Sequence, residues 1–178
     1  MLKYKLQGVS RFKKEYLKEG VYLLLLNALN VPPHLLLVVS GKVFSITTLG
    51  PLLDEDVDKY LRLIDKQKLP TLFVKLSLPT IFTATDLLDK VRSITNSYPR
   101  VDVGMATCLN PIKDFCSDIY SVNKKQINLV FDLLDELKLQ EAIEGYYQVN
   151  LDQEIDQGEM SMEKYSVFEV NEAIHAIA

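Results

Sequence analysis

The chain holds 178 residues, 48% of them hydrophobic and 25% charged, with a formal net charge of −4. That length buries a core without disulfides or a metal, and seven glycines and seven prolines are too few for a collagen-like or mainly disordered chain. The acidic balance argues against a nucleic-acid groove or an anionic membrane surface as the main partner.

Residues Lys3 to Lys18 read as a short surface helix or arm anchored by Phe12, Tyr16 and Leu17, ended by Gly20. Val21 to Leu26 (VYLLLL) is a continuous apolar run, as expected of a strand covered on both faces. Pro32 and Pro33 make 27–33 a loop, and His34 to Val39 (HLLLVV) is a second such strand. Ser40-Gly41 signals a hairpin turn into a third strand, Val43 to Thr48, closed by Gly50-Pro51. A helix with an acidic first turn is expected from Asp54 to Lys68, then a strand from Thr71 to Leu76.

Asp86 to Ser97 reads as a helix N-capped by Thr85 and stopped by Pro99. A short strand is expected at Val101 to Met105, and a helix from Cys108 or Pro111 to Tyr120. Asn123 with Gln126 has capping-box spacing and opens a helix to about Lys138. Tyr146 to Leu151 reads as a strand, Asp152 to Glu159 as an acidic loop, and Val167 to Ile177 as a last helix. The order predicts an α+β fold, a largely antiparallel sheet packed against several helices, in one domain over 1–178. Within it, 1–19 is an N-terminal helix or arm and 121–178 a helical or mixed extension.

Two cysteines, Cys108 and Cys116, are too few for a disulfide framework, and their spacing fits no common zinc signature. On one helix they lie roughly 12 Å apart, too far to bridge. Free thiols, no signal-peptide pattern and an apolar stretch broken at Asn27, Asn30 and Pro32 predict a cytoplasmic protein without a membrane span. No P-loop, GxGxxG, HExxH or GxSxG occurs, so no cofactor or metal is expected.

Chemistry-bearing side chains are few. Of the two histidines, His175 sits near the chain's end and His34 on a stiff strand start after two prolines. The His34 ring either faces a cleft or is half-buried against a backbone carbonyl. At a helix N-terminus, Cys108 meets the positive end of the macrodipole and free N–H groups, which favour a thiolate and can hold an oxyanion. Without a partner it is an inert packed thiol, as Cys116 is expected to be. In a two-residue hairpin Val39 faces Lys42 and His34 faces Thr47, so Ser45 and Thr47 share the face of His34, where a hydroxyl can orient the imidazole.

The segment from Gly20 through Pro32-Pro33-His34 and the hairpin to Ile46, followed by Thr107-Cys108-Leu109, resembles the permuted papain-like superfamily. That group comprises NlpC-type peptidases, their permuted relatives and lecithin:retinol acyltransferase-like enzymes. The likeness spans about residues 20–48 and 103–120. It implies a catalytic core over 20–120, with Cys108 as nucleophile and His34 as general base. The implied activity is that of a cysteine hydrolase or acyltransferase on a small peptide, amide or acyl substrate, through an acyl-enzyme. The family's third polar residue falls here on Thr47 or Ser45, and Pro111 sits early in the helix. Both departures keep open a catalytically inactive interaction or structural domain on the same scaffold.

Overall fold

The computed structural model describes residues 2–177. Ten strands and five α-helices follow one another as β1 (Lys3–Leu6), β2 (Val9–Arg11), β3 (Val21–Leu26), β4 (His34–Val39), β5 (Lys42–Thr47), β6 (Gly50–Asp56), α1 (Val57–Gln67), β7 (Thr71–Leu76), α2 (Ala84–Asn96), α3 (Leu109–Tyr120), α4 (Val130–Leu139), β8 (Ile143–Val149), β9 (Ile155–Asp156), β10 (Glu159–Glu163) and α5 (Val167–Ile177). The main sheet has seven strands in the order β2-β8-β7-β3-β4-β5-β6, and a second sheet has the order β1-β10-β9. Every adjacent pair in the main sheet is antiparallel except β2 with β8. The α+β class with a largely antiparallel sheet is as expected.

The apolar runs of β3 and β4 follow from their position at the centre. Side chains alternate along a strand, and both faces of this sheet are covered. Val21, Leu23 and Leu25 join Leu35, Leu37 and Val39 in a core completed by Leu87 and Val91 of α2, Ile112 and Phe115 of α3, and Leu134 of α4. Tyr22, Leu24 and Leu26 join Leu36, Val38 and Phe73 in a second core against Val57, Leu61 and Ile64 of α1. Each fully buried leucine contributes roughly 1.5–3 kcal/mol. The Ser40-Gly41 turn has positive φ at both residues, 47° and 78°, as the favoured two-residue hairpin requires, and Val39 pairs with Lys42.

Several elements differ from expectation. Residues 3–18 are not a helix but β1, β2 and a 3-10 turn at Lys14–Lys18. The signal lay in the period-2 burial of Tyr4 and Leu6 between exposed Lys3 and Lys5. Gly50-Pro51 opens a strand rather than closing the unit, and Asp54 and Glu55 belong to β6, so α1 starts only at Val57 with Asp56 as its N-cap. Asp54 pairs instead with Arg92 through two hydrogen bonds of 2.8 Å, tying β6 to α2. Thr83, not Thr85, caps α2, because Asp86 returns the bond to the Thr83 N–H.

Residues 101–105 form a turn closed by the Asp102–Ala106 bridge, and Val101 N–H donates to Thr47 O at 2.8 Å. Asn123 caps only a 3-10 turn. The helix after it waits until Val130, where Asp132 accepts from the Asn128 and Leu129 N–H groups. The acidic segment 152–159 holds a 3-10 turn, β9 and the start of β10, and the strand expected at 146–151 runs from Ile143 to Val149. Segments from both ends of the chain thus join the sheets, β8 lying between β2 and β7 in the main one and β10 pairing with β1 in the second. No described helix is long and apolar enough to cross a membrane.

Candidate functional site

His34 begins β4 directly after the two prolines, and Cys108 is the N-cap of α3 with helical dihedrals, φ −58° and ψ −17°. Packing of Ile112, Phe115 and Cys116 onto the sheet fixes α3, so its first turn lands at the end of the β4–β5 hairpin. His34 and Cys108, far apart in sequence, border one cavity of about 280 Å³, along with Pro33, Ile46, Thr47 and Thr107. No aspartate, glutamate, lysine or arginine lines it.

The two reactive groups nevertheless do not engage. Among the described residues the imidazole forms no hydrogen bond to the sulfur or to either candidate hydroxyl. The cause lies in the strand register. His34 stands opposite Leu26, in line with the alternating positions Leu24 and Leu36 of the α1-side core. Cys108 packs on the other core, which contains Leu35. The neighbour of His34, not His34 itself, thus shares a core with the thiol.

Electrostatics follow this geometry. Burial pushes the Cys108 thiol above its ordinary value. The backbone N–H groups of Leu35, Cys108 and Leu109 oppose that shift with less effect. Burial alone lowers His34 from its ordinary 6.5. Both groups are held neutral, the reverse of a thiolate–imidazolium pair.

The hydroxyls expected to orient the imidazole are committed elsewhere. Buried Ser45 donates its Oγ hydrogen to the Leu35 carbonyl at 2.9 Å. Thr47 Oγ1 donates to Gly50 O at 3.1 Å and accepts from Leu49 N–H at 3.2 Å, closing the β5–β6 turn. Both hydroxyls thus donate to backbone oxygens rather than to the imidazole.

The helix start is also largely self-satisfied. Thr107 Oγ1 accepts from Leu109 N–H at 3.2 Å, Thr107 O accepts from Asn110 N–H at 3.0 Å, and Pro111 has no N–H. Asn110 Oδ1 in turn accepts from Thr107 N–H at 2.7 Å. An oxyanion arriving here finds these donors engaged. The Thr107-x-x-Asn110 spacing was the sequence signal for this arrangement. Cys116, two turns on, is buried and behaves as an apolar core residue. His175 is an exposed side chain on α5.

No group of three or more metal-ligating side chains gathers among the described residues. The fold and site thus define an α+β domain with an apolar cavity that encloses a neutral thiol. Comparison with protein-family models, with curated proteins and with solved structures finds no match.

Proposed function

We propose that the protein is a non-catalytic binding domain on a scaffold of permuted papain-like type, with the cavity beside Cys108 as its ligand site. The observation that carries this reading is that thiol and imidazole border one cavity without a hydrogen bond between them, while Leu35 rather than His34 belongs to the core that Cys108 packs against. Support for the scaffold comes from the order of parts. A histidine starts a strand, a hairpin follows, and a cysteine opens a helix packed on that sheet.

Alkylation with iodoacetamide tests the reading. Cys108 is expected to react slowly near neutrality and faster only as pH rises beyond the ordinary thiol value of 9.0, with no change in His34→Ala. Fast reaction near neutrality that His34→Ala slows would overturn it.

A second reading keeps the chemistry of a cysteine hydrolase or acyltransferase, on the specific ground that Cys108 opens α3 in the cavity His34 borders. There the imidazole turns to the sulfur when substrate binds and takes the thiol proton. The thiolate then attacks an amide or ester carbonyl, and the imidazolium returns the proton to the leaving group as the acyl-enzyme forms. Alkylation repeated in the presence of a thioester or amide substrate, with release of the leaving group followed, distinguishes the two.

A further inference from the structure

The fourth wall of the cavity is α5. Val170, Ala173, Ile174 and Ile177 recur at i, i+3, i+4 and i+7, one stripe of a helix, and all four line the cavity. The seating of that stripe is poor. Ile174 is the one buried residue of α5 and Val170 packs partly on the core, while Ile177, last in the stripe, is 69% exposed. Interiors elsewhere in this fold are close-packed, and a helix resting over 280 Å³ of space forgoes the dispersion contacts that hold a docked helix.

The first turn of α5 carries its own cap. Ser166 and Glu169 form a reciprocal cap, with Ser166 N–H donating to Glu169 Oε2 at 2.7 Å and Glu169 N–H donating to Ser166 Oγ at 3.3 Å. Just before it, Lys164 N–H donates to Leu2 O at 2.9 Å and buried Tyr165 packs on Phe131, so the helix is anchored at its N-terminal side.

The lining also states what the space accepts. It carries no permanently charged side chain, and its polar groups are hydroxyls, a thiol and a neutral imidazole. A charged group inside would go uncompensated, so charge complementarity selects an uncharged occupant. Exposed apolar side chains flank the lining residues in sequence: Leu49, 98% exposed, follows Thr48, and Val31 precedes Pro32. At about 280 Å³ the space lies at the small end of ligand pockets and suits a short chain.

We infer that α5 is a lid anchored at its N-terminal side and that an uncharged, unbranched aliphatic chain fills the space beneath it, clamping the lid against β4, β5 and the start of α3. This rests on the cavity being a ligand site, as proposed above, and deepens that reading by naming ligand class and moving part.

The test is hydrogen exchange of the α5 amides, with and without 1-decanol, on the full chain. Saturating 1-decanol is expected to slow exchange across 167–177 by about tenfold and to raise the melting temperature. Ala173→Trp, which fills the cavity from the lid side, is expected to slow exchange without ligand and to abolish the effect of 1-decanol. Ala173→Leu gives the same direction at smaller size should the tryptophan variant fail to fold. A melting shift from 1-decanol that Ala173→Trp abolishes, with α5 exchange unchanged, overturns the lid and leaves the ligand site standing. No melting shift and no change in exchange overturn the whole inference. Failure of the non-catalytic reading would register separately, as His34-dependent alkylation of Cys108.

Discussion

Cys108 packs on the core that holds Leu35, one residue beyond His34. Because strand side chains alternate, that single step puts the imidazole in register with the α1-side core while the thiol lies on the other. Transposing the two residues, His34→Leu with Leu35→His, sets an imidazole on the face of Cys108. The expected result is faster alkylation of Cys108 near neutral pH than in the parent, with Cys116 unlabelled. Leu35 is 3% exposed, so the exchange costs about 1–3 kcal/mol of stability, readable by urea denaturation. Unchanged alkylation in a folded transposed variant would remove the register argument.

His34 should leave a mark on the pH dependence of stability. Burial holds the folded ring below its ordinary 6.5, so the unfolded chain binds the proton first as pH falls. The contribution of the neutral ring is complete above about 6.5 and is lost as pH drops through that value toward the lower folded pKa. His34→Gln should flatten the stability curve in that window and leave it unchanged at higher pH, as followed by denaturation at a series of pH values.

A different test concerns Tyr146, whose hydroxyl is buried and lacks a hydrogen-bond partner among the described residues. Tyr146→Phe removes an unsatisfied group and should be neutral or stabilising by up to about 1 kcal/mol. Its neighbour Tyr4 donates to Asp135 Oδ1 at 2.6 Å and accepts from Lys138 Nζ at 2.8 Å. Tyr4→Phe should therefore destabilise by about 1 kcal/mol. Thermal or urea melts of the two variants side by side give the opposite signs that this account requires.

The β4–β5 hairpin offers a stabilising change. Ser40 adopts φ 47°, a left-handed conformation that asparagine tolerates better, and Asn-Gly is the favoured pair for this turn. Ser40→Asn should raise stability by about 0.5 kcal/mol, a melting shift of about 1–2 °C, without altering Cys108 alkylation.

Much of the central sheet was legible because its determinants are local. An apolar run of six residues bounded by prolines or glycines has few options other than a strand covered on both faces, and Ser40-Gly41 has few options other than a tight turn. The helices expected over Asp86 to Ser97, to Tyr120 and over Val167 to Ile177 lie close to α2, α3 and α5. β1 escaped because its partner β10 lies at the other end of the chain, and four residues carry too short an alternation to stand out beside so many lysines. β6 escaped because an edge strand can carry acids freely, and acids next to a helix read as its first turn.

For the site, the sequence by itself determined the inventory: one thiol at a helix start, one imidazole at a strand start, and few other groups able to do chemistry. Alternation even determined that His34 and Leu35 face opposite ways. Only the tertiary structure decided which face α3 covers, and hence which of the two shares a core with Cys108. It alone revealed that α5 roofs the cavity. Those contacts join residues far apart in the chain, and their geometry is fixed by how whole elements pack, which no local pattern encodes.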